Sequence, residues 1–118
     1  MTLASSALVL IVGLLHVYFL VLEMFLWTTP FGQKTFKRTA AEQEQSKVLA
    51  ANQGLYNGFL AAGLLWSLSL GGAGRHVAEF FLSCVVIAGL YGAMTASRKI
   101  LFVQALPGAV ALMLVWLS

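Results

Sequence analysis

Four long apolar stretches alternate with short polar ones along the 118-residue chain. They cover about residues 3–27, 48–70, 77–96 and 100–117. Residues 3–22 and 48–74 contain no Asp, Glu, Lys or Arg. Each is long enough for the ~20 residues that carry a helix across a bilayer. The joints are residues 28–47, 71–76 and 97–99. The last two are short, which makes the second, third and fourth stretches antiparallel neighbours. The pattern predicts an all-α protein, an integral membrane four-helix bundle in antiparallel up-down order, as one domain over residues 1–118.

The second helix is predicted to start before its apolar stretch. In "TAAE" at 39–42, Thr39 caps and Glu42 reaches back to the Thr39 amide, a capping box. A helix from about residue 40 to about residue 70 is roughly 45 Å long at 1.5 Å per residue. That exceeds a ~30 Å hydrocarbon core, so its first two turns extend beyond the membrane. The preceding "TTPFGQKTFKR" reads as a basic surface segment with two phenylalanines. It suits anionic headgroups and equally an ordinary positive-inside loop.

Composition agrees with the membrane reading: 60% of residues are hydrophobic and 9% charged, and mean hydropathy is +0.90. A soluble domain of this length needs more polar surface. Lys and Arg orient the chain. Lys34, Lys37, Arg38, Lys47, Arg98 and Lys99 lie in the first and third joints, against Arg75 alone on the other side. Residues 28–47 and 97–99 are therefore expected in the cytoplasm and both termini outside. The long second helix then extends into the cytoplasm. The net charge of +3 is spent on topology, and nucleic acid is not an expected partner. The N-terminus has no basic n-region, so it reads as a retained span. The lone Cys84 has no partner for a disulfide.

Polar side chains interrupt these stretches in one zone. His16 and Glu23 are seven positions apart, within about 20° of each other on a helix. Ionisable groups in a bilayer face a bundle interior or a wet cavity. Counted from the cytoplasmic ends, Glu23, Asn52, Gln53, Tyr91, Thr95 and Gln104 lie about one turn deep, with His16 and Asn57 about two turns deeper. Helix-to-helix hydrogen bonds account for one or two such residues, and eight call for a ligand or reaction site. Glu23 and His16 are the candidate acid/base pair, with Gln53, Asn57, Tyr91, Gln104, Asn52 and Thr95 as ligand-binding candidates. Gln53 and Asn57 fall on one side of the second helix, Asn52 and Tyr56 about 100° further round. The structural alternatives are a hydrogen-bonded His16 and a Glu23 reaching out to interfacial water. One His, one Glu and amides make no metal site. Ala50, Gly54, Gly58 and Ala62 form a small-residue ridge for close helix packing. It serves either the same chain or a homo-oligomer.

The blocks "HVYFLVLEMFLWTTPFGQKTF" and "ANQGLYNGFLAAGL" resemble an uncharacterised family of small four-span bacterial inner-membrane proteins, domain of unknown function 1304. That resemblance implies the bacterial inner membrane as the location and carries no activity. "AANQGLYNGFLAAGLLW" more weakly resembles the second helix of the MAPEG superfamily, the membrane-associated proteins of eicosanoid and glutathione metabolism. In that superfamily an Asn or Gln-Asn pair precedes a Phe-Leu-Ala run, as Asn52 and Gln53 precede Phe59-Leu60-Ala61. Tyr91 before Arg98 is similar to its third-helix ending. The likeness implies four short spans, external termini, a cytoplasmic-side site between subunits, and glutathione as a cofactor. Against glutathione, no arginine precedes Asn52, Tyr56 and Asn57 stand where an acidic residue usually follows, and His16 and Glu23 lie outside the pattern.

Three functions fit. The leading one is an intramembrane polar site near the cytoplasmic side that binds or converts a small lipophilic or amphipathic molecule, with membrane lipids around it. The second is a proton-coupled small transporter using Glu23. The third is a non-catalytic assembly subunit of another membrane protein. Whether the protein is an enzyme is left open by the residues.

Overall fold

The computed structural model describes all of residues 1–118. The fold is all-helical, without strands. Its α-helices are α1 (Leu3–Met24), α2 (Pro30–Phe36), α3 (Ala40–Ser69), α4 (Arg75–Thr95) and α5 (Leu106–Leu117). A 3-10 turn, Gly71–Gly74, leads into α4, and a π-helical segment, Leu101–Ala105, leads into α5.

Two segments, Leu3–Met24 and Gly71–Thr95, are long and apolar enough to cross a membrane. The sequence pattern offers four such stretches. Leu101–Leu117 is apolar but shorter. α3 is longer than either but carries Glu42, Glu44 and Lys47 in its first turns and Asn52, Gln53 and Asn57 further along, which dilutes its apolar character.

Helix α1 stops at Met24 rather than at residue 27. The amides of Phe25 and Leu26 both donate to the Val21 carbonyl, at 3.0 and 3.1 Å. The segment read as surface loop holds α2. Thr29 caps it, accepting from the Gly32 amide at 3.2 Å, and Pro30 opens it, where the missing N–H costs nothing. Lys37 ends it in the left-handed region at φ 54°. The capping box of α3 is present: the Thr39 amide donates to Glu42 Oε1 at 3.0 Å, and the Glu42 amide to Thr39 Oγ1 at 3.2 Å. These bonds hold the exposed Glu42 carboxyl below its ordinary pKa.

The chain forms two compact units. One comprises Met1–Leu14 and Leu60–Ser118, the other Leu15–Phe59. In the first, Val9, Val12, Leu64, Leu82, Val85 and Val115 form a fully buried core. A Cβ on Gly89 would lie 2.6 Å from the backbone nitrogen of Ala105, so this glycine lets the π segment lie against α4. The π turn has a local cause. Pro107 has no N–H to give to the Val103 carbonyl, and the chain widens just before it. Arg75 secures the last residues, donating from Nη1 to the Ser118 carbonyl and from Nη2 to the Trp116 carbonyl, each at 3.0 Å.

In the second unit, Gly54 and Gly58 face α1 of the same chain. A Cβ at 54 would lie 2.7 Å from Met24 Cγ, and one at 58 would lie 2.7 Å from Leu20 Cδ1. The ridge that sequence offers equally to an oligomer is used here within the chain.

Candidate functional site

The site centres on a contact that the glycine ridge permits. Gly54 leaves the stem of Glu23 close to α3, with Glu23 Cβ 3.1 Å from where a Cβ on 54 would sit. Asn57, one turn further along α3, then reaches back. Its Nδ2 donates to Glu23 Oε1 across 34 positions of sequence. Glu23 and Asn57 are both half-buried. The sequence-based depths put Asn57 about two turns deeper than Glu23; the hydrogen bond puts their end groups at one level.

His16 lies on the same stripe of α1 and is fully buried. Its ring meets Phe19 edge to face at a centroid distance of 5.2 Å. Gln53 is exposed. Asn52 is also exposed and donates to Tyr56 Oη at 3.1 Å. It lines a shallow groove of about 650 Å³ with Met24, Val48, Leu49 and Leu55. Met24 directly follows Glu23, so the groove begins beside the carboxyl in sequence. Its walls are mostly aliphatic, with amides at Gln45 and Asn52.

The other candidates belong to the first unit. Tyr91 is exposed, and Thr95 spends its hydroxyl on the Tyr91 carbonyl at 2.8 Å. Such a bond to the carbonyl four residues back is a local one within α4, of the kind that tends to bend a helix. Gln104 sits half-buried in the π segment.

One arrangement escaped the sequence reading. Trp27 Nε1 donates to Ser46 Oγ at 3.0 Å, and Gln43 Nε2 donates to the Trp27 carbonyl at 2.8 Å. Phe36 packs on the Trp27 ring, with centroids 4.6 Å apart. Gln43 is fully buried. This clasp ties α2 and the end of α1 to the first turns of α3. The signal was present in the spacing of Gln43 and Ser46, which share a helix face, within a segment that reads as solvent-exposed.

An ionised carboxylate accepts several hydrogen bonds, and Asn57 supplies one. The arrangement can anchor a donor head group or exchange a proton with it.

Over residues 10–116 the chain matches the family described as "Protein of unknown function (DUF1304)", and it belongs to that family. It is also 31% identical over 106 residues to the uncharacterized protein YpaA of Lactococcus lactis subsp. lactis (strain IL1403), covering 88% of this chain and 89% of that one. No solved structure matches. These comparisons do not support the MAPEG likeness, which stands on the second-helix residues and on Tyr91 before Arg98.

Proposed function

We propose that this is an integral membrane protein in which Glu23 and Asn57 form an intramembrane site, near the cytoplasmic side, for a small amphipathic molecule. The head group donates to Glu23, and the tail follows the groove along Met24, Leu49 and Leu55. The observation that carries this reading is the Glu23–Asn57 bond. A carboxylate in an apolar helix is costly, and here it is held by an amide of the next long helix instead of being turned outward to water. The groove falls within the size range of small-molecule sites and has their mix of apolar wall and a few polar groups.

Membrane insertion is supported by the outer surface. Ile11, Phe80, Ile87, Met94, Phe102 and Trp116 are each more than half exposed, and large apolar side chains turned outward in such number favour a membrane or a partner surface over water. In this reading α1, α3, α4 and the Leu101–Leu117 segment each cross the bilayer, in the up-down order of a MAPEG-like four-helix bundle. The Lys and Arg bias places residues 28–47 inside. Conversion of the bound molecule would use Glu23 as acid or base, with His16 deeper on the same stripe.

Mass spectrometry of small molecules co-purifying with the protein tests the site. Wild type retains an amphipathic species that Glu23→Gln and Asn57→Leu lose while staying folded. Identical sets from all three would refute the reading. The second reading, a proton-coupled transporter, is favoured by the same carboxyl. Proton-driven uptake of a cationic dye into proteoliposomes, abolished by Glu23→Gln, would select it over binding alone.

A further inference from the structure

We infer that the outer face of α2 and its cap, formed by Phe31, Lys34, Lys37 and Arg38, is a docking surface for the headgroups of anionic phospholipids. The inference rests on the reading of α1 as a membrane span.

The orientation of α2 is fixed by its inner face. Gly32 is buried, and a Cβ there would lie 2.2 Å from the Leu26 carbonyl oxygen and 2.5 Å from that of Trp27. Phe36, one turn on, packs on Trp27. The opposite side is thereby turned out. Phe31 is 51% exposed, and Lys34, Lys37 and Arg38 are all exposed. Phe31 and Lys34 are neighbours at i, i+3 on that side.

None of these three cations is in an ion pair. The acid–base pairs of the chain are Lys47–Glu44, Arg75–Glu79 and His76–Glu79. The nearest acid in sequence, Glu42, is hydrogen-bonded to the Thr39 amide, and Arg38 acts on it only through space. Three cations beside an exposed phenyl ring therefore have no protein counter-charge in contact.

The backbone adds an independent sign. Lys37 is the single non-glycine residue with positive φ. Glycine holds that conformation without the steric penalty of a Cβ. A lysine there accepts the strain and places an ammonium at the point where glycine would place nothing.

Location selects the partner. Pro30 begins α2 six residues after α1 ends, so α2 lies at the level where the chain leaves the hydrocarbon. Basic residues at that level attract anionic lipids, and a phenyl ring beside them inserts at the headgroup and acyl boundary. Free phosphate would satisfy the cations but not Phe31, so the phospholipid is the fitting occupant.

The test uses the full chain in nanodiscs of phosphatidylcholine, alone or mixed with phosphatidylglycerol. Retained lipids are counted by native mass spectrometry, and thermal midpoints are recorded. Wild type should retain phosphatidylglycerol in excess of its share of the disc and melt higher in the mixed discs. Lys34→Gln combined with Arg38→Gln should lose most of that excess. Lys37→Gly should act in two directions: a higher midpoint in phosphatidylcholine, from relief of the backbone, and less phosphatidylglycerol retained. Retention in proportion to disc composition, or an excess unchanged in every variant, would overturn the inference while leaving the membrane reading intact. Recovery of wild type in the supernatant of an alkaline carbonate extraction would overturn both.

Discussion

Replacing Asn57 with Leu removes the amide that donates to Glu23 Oε1 and leaves the carboxyl half-buried against α3. A hydrogen bond to a charged group contributes about 1.5–3 kcal/mol in water-soluble proteins. Side-chain bonds between membrane helices average about 0.6 kcal/mol and reach about 1.7. Partial burial puts this pair at the upper end of the membrane figure, so Asn57→Leu should cost about 2 kcal/mol. Glu23→Leu should cost less, roughly 0.5 kcal/mol, because it removes the ionisable group itself. The double variant should cost about 1 kcal/mol, giving a coupling near 1.5 kcal/mol for residues in direct contact. The assay is equilibrium unfolding in mixed micelles of dodecyl maltoside and dodecyl sulfate, followed by tryptophan fluorescence. Effects that add to within about 0.3 kcal/mol would show the two residues to be independent, and the site would lose its central contact.

Three further outcomes follow from the geometry. Gly58→Ile should destabilise by about 1–3 kcal/mol through overpacking against Leu20, whereas Gly58→Ala should cost little, since it meets only the end of the Leu20 side chain; the same unfolding assay checks both. Gly32→Ala should release α2, because its Cβ would meet backbone carbonyls that cannot step aside; the shift of Trp27 emission as Phe36 leaves its ring reads the change. Glu42, held below the ordinary 4.5 by Thr39, should stabilise the first turn of α3 above the ordinary carboxyl range and lose that contribution as pH falls through its lowered value; an NMR titration of the Thr39 amide should show a midpoint under 4.5, and Glu42→Gln should abolish it.

Much of this is legible in the sequence. The start of α3 follows from the spacing of Thr39 and Glu42, because a capping box is a local device. Its end at Ser69 comes within a residue of the expected one. Glu23 and Asn57 stood out as rare polar groups in apolar surroundings, but their pairing required knowing that Gly54 faces α1, and a small-residue ridge fits several partners equally. Helix α2 was signalled by Thr29 and Pro30, yet its basic composition masked it. Its stability comes from the close fit of Gly32 on the Leu26 and Trp27 carbonyls and from the Trp27 clasp, whose bonds to Gln43 and Ser46 are distant in sequence. The π segment at Leu101–Ala105 was invisible because an extra residue in a turn leaves the apolar pattern almost unchanged. Pro107 marked the place without specifying the solution. The bond from Thr95 to the Tyr91 carbonyl was not legible either, because a threonine hydroxyl in an apolar helix can turn to its own backbone or away from it.

Photolabelling of the protein in nanodiscs, with a dodecylamine carrying a diazirine in its tail, tests the proposed site most directly. The account predicts adducts on the segments around Glu23 and along the groove at Leu49, Asn52 and Leu55, displaced by unlabelled dodecylamine and lost in Glu23→Gln. Adducts spread evenly over the lipid-facing residues, or equal in wild type and Glu23→Gln, would contradict it.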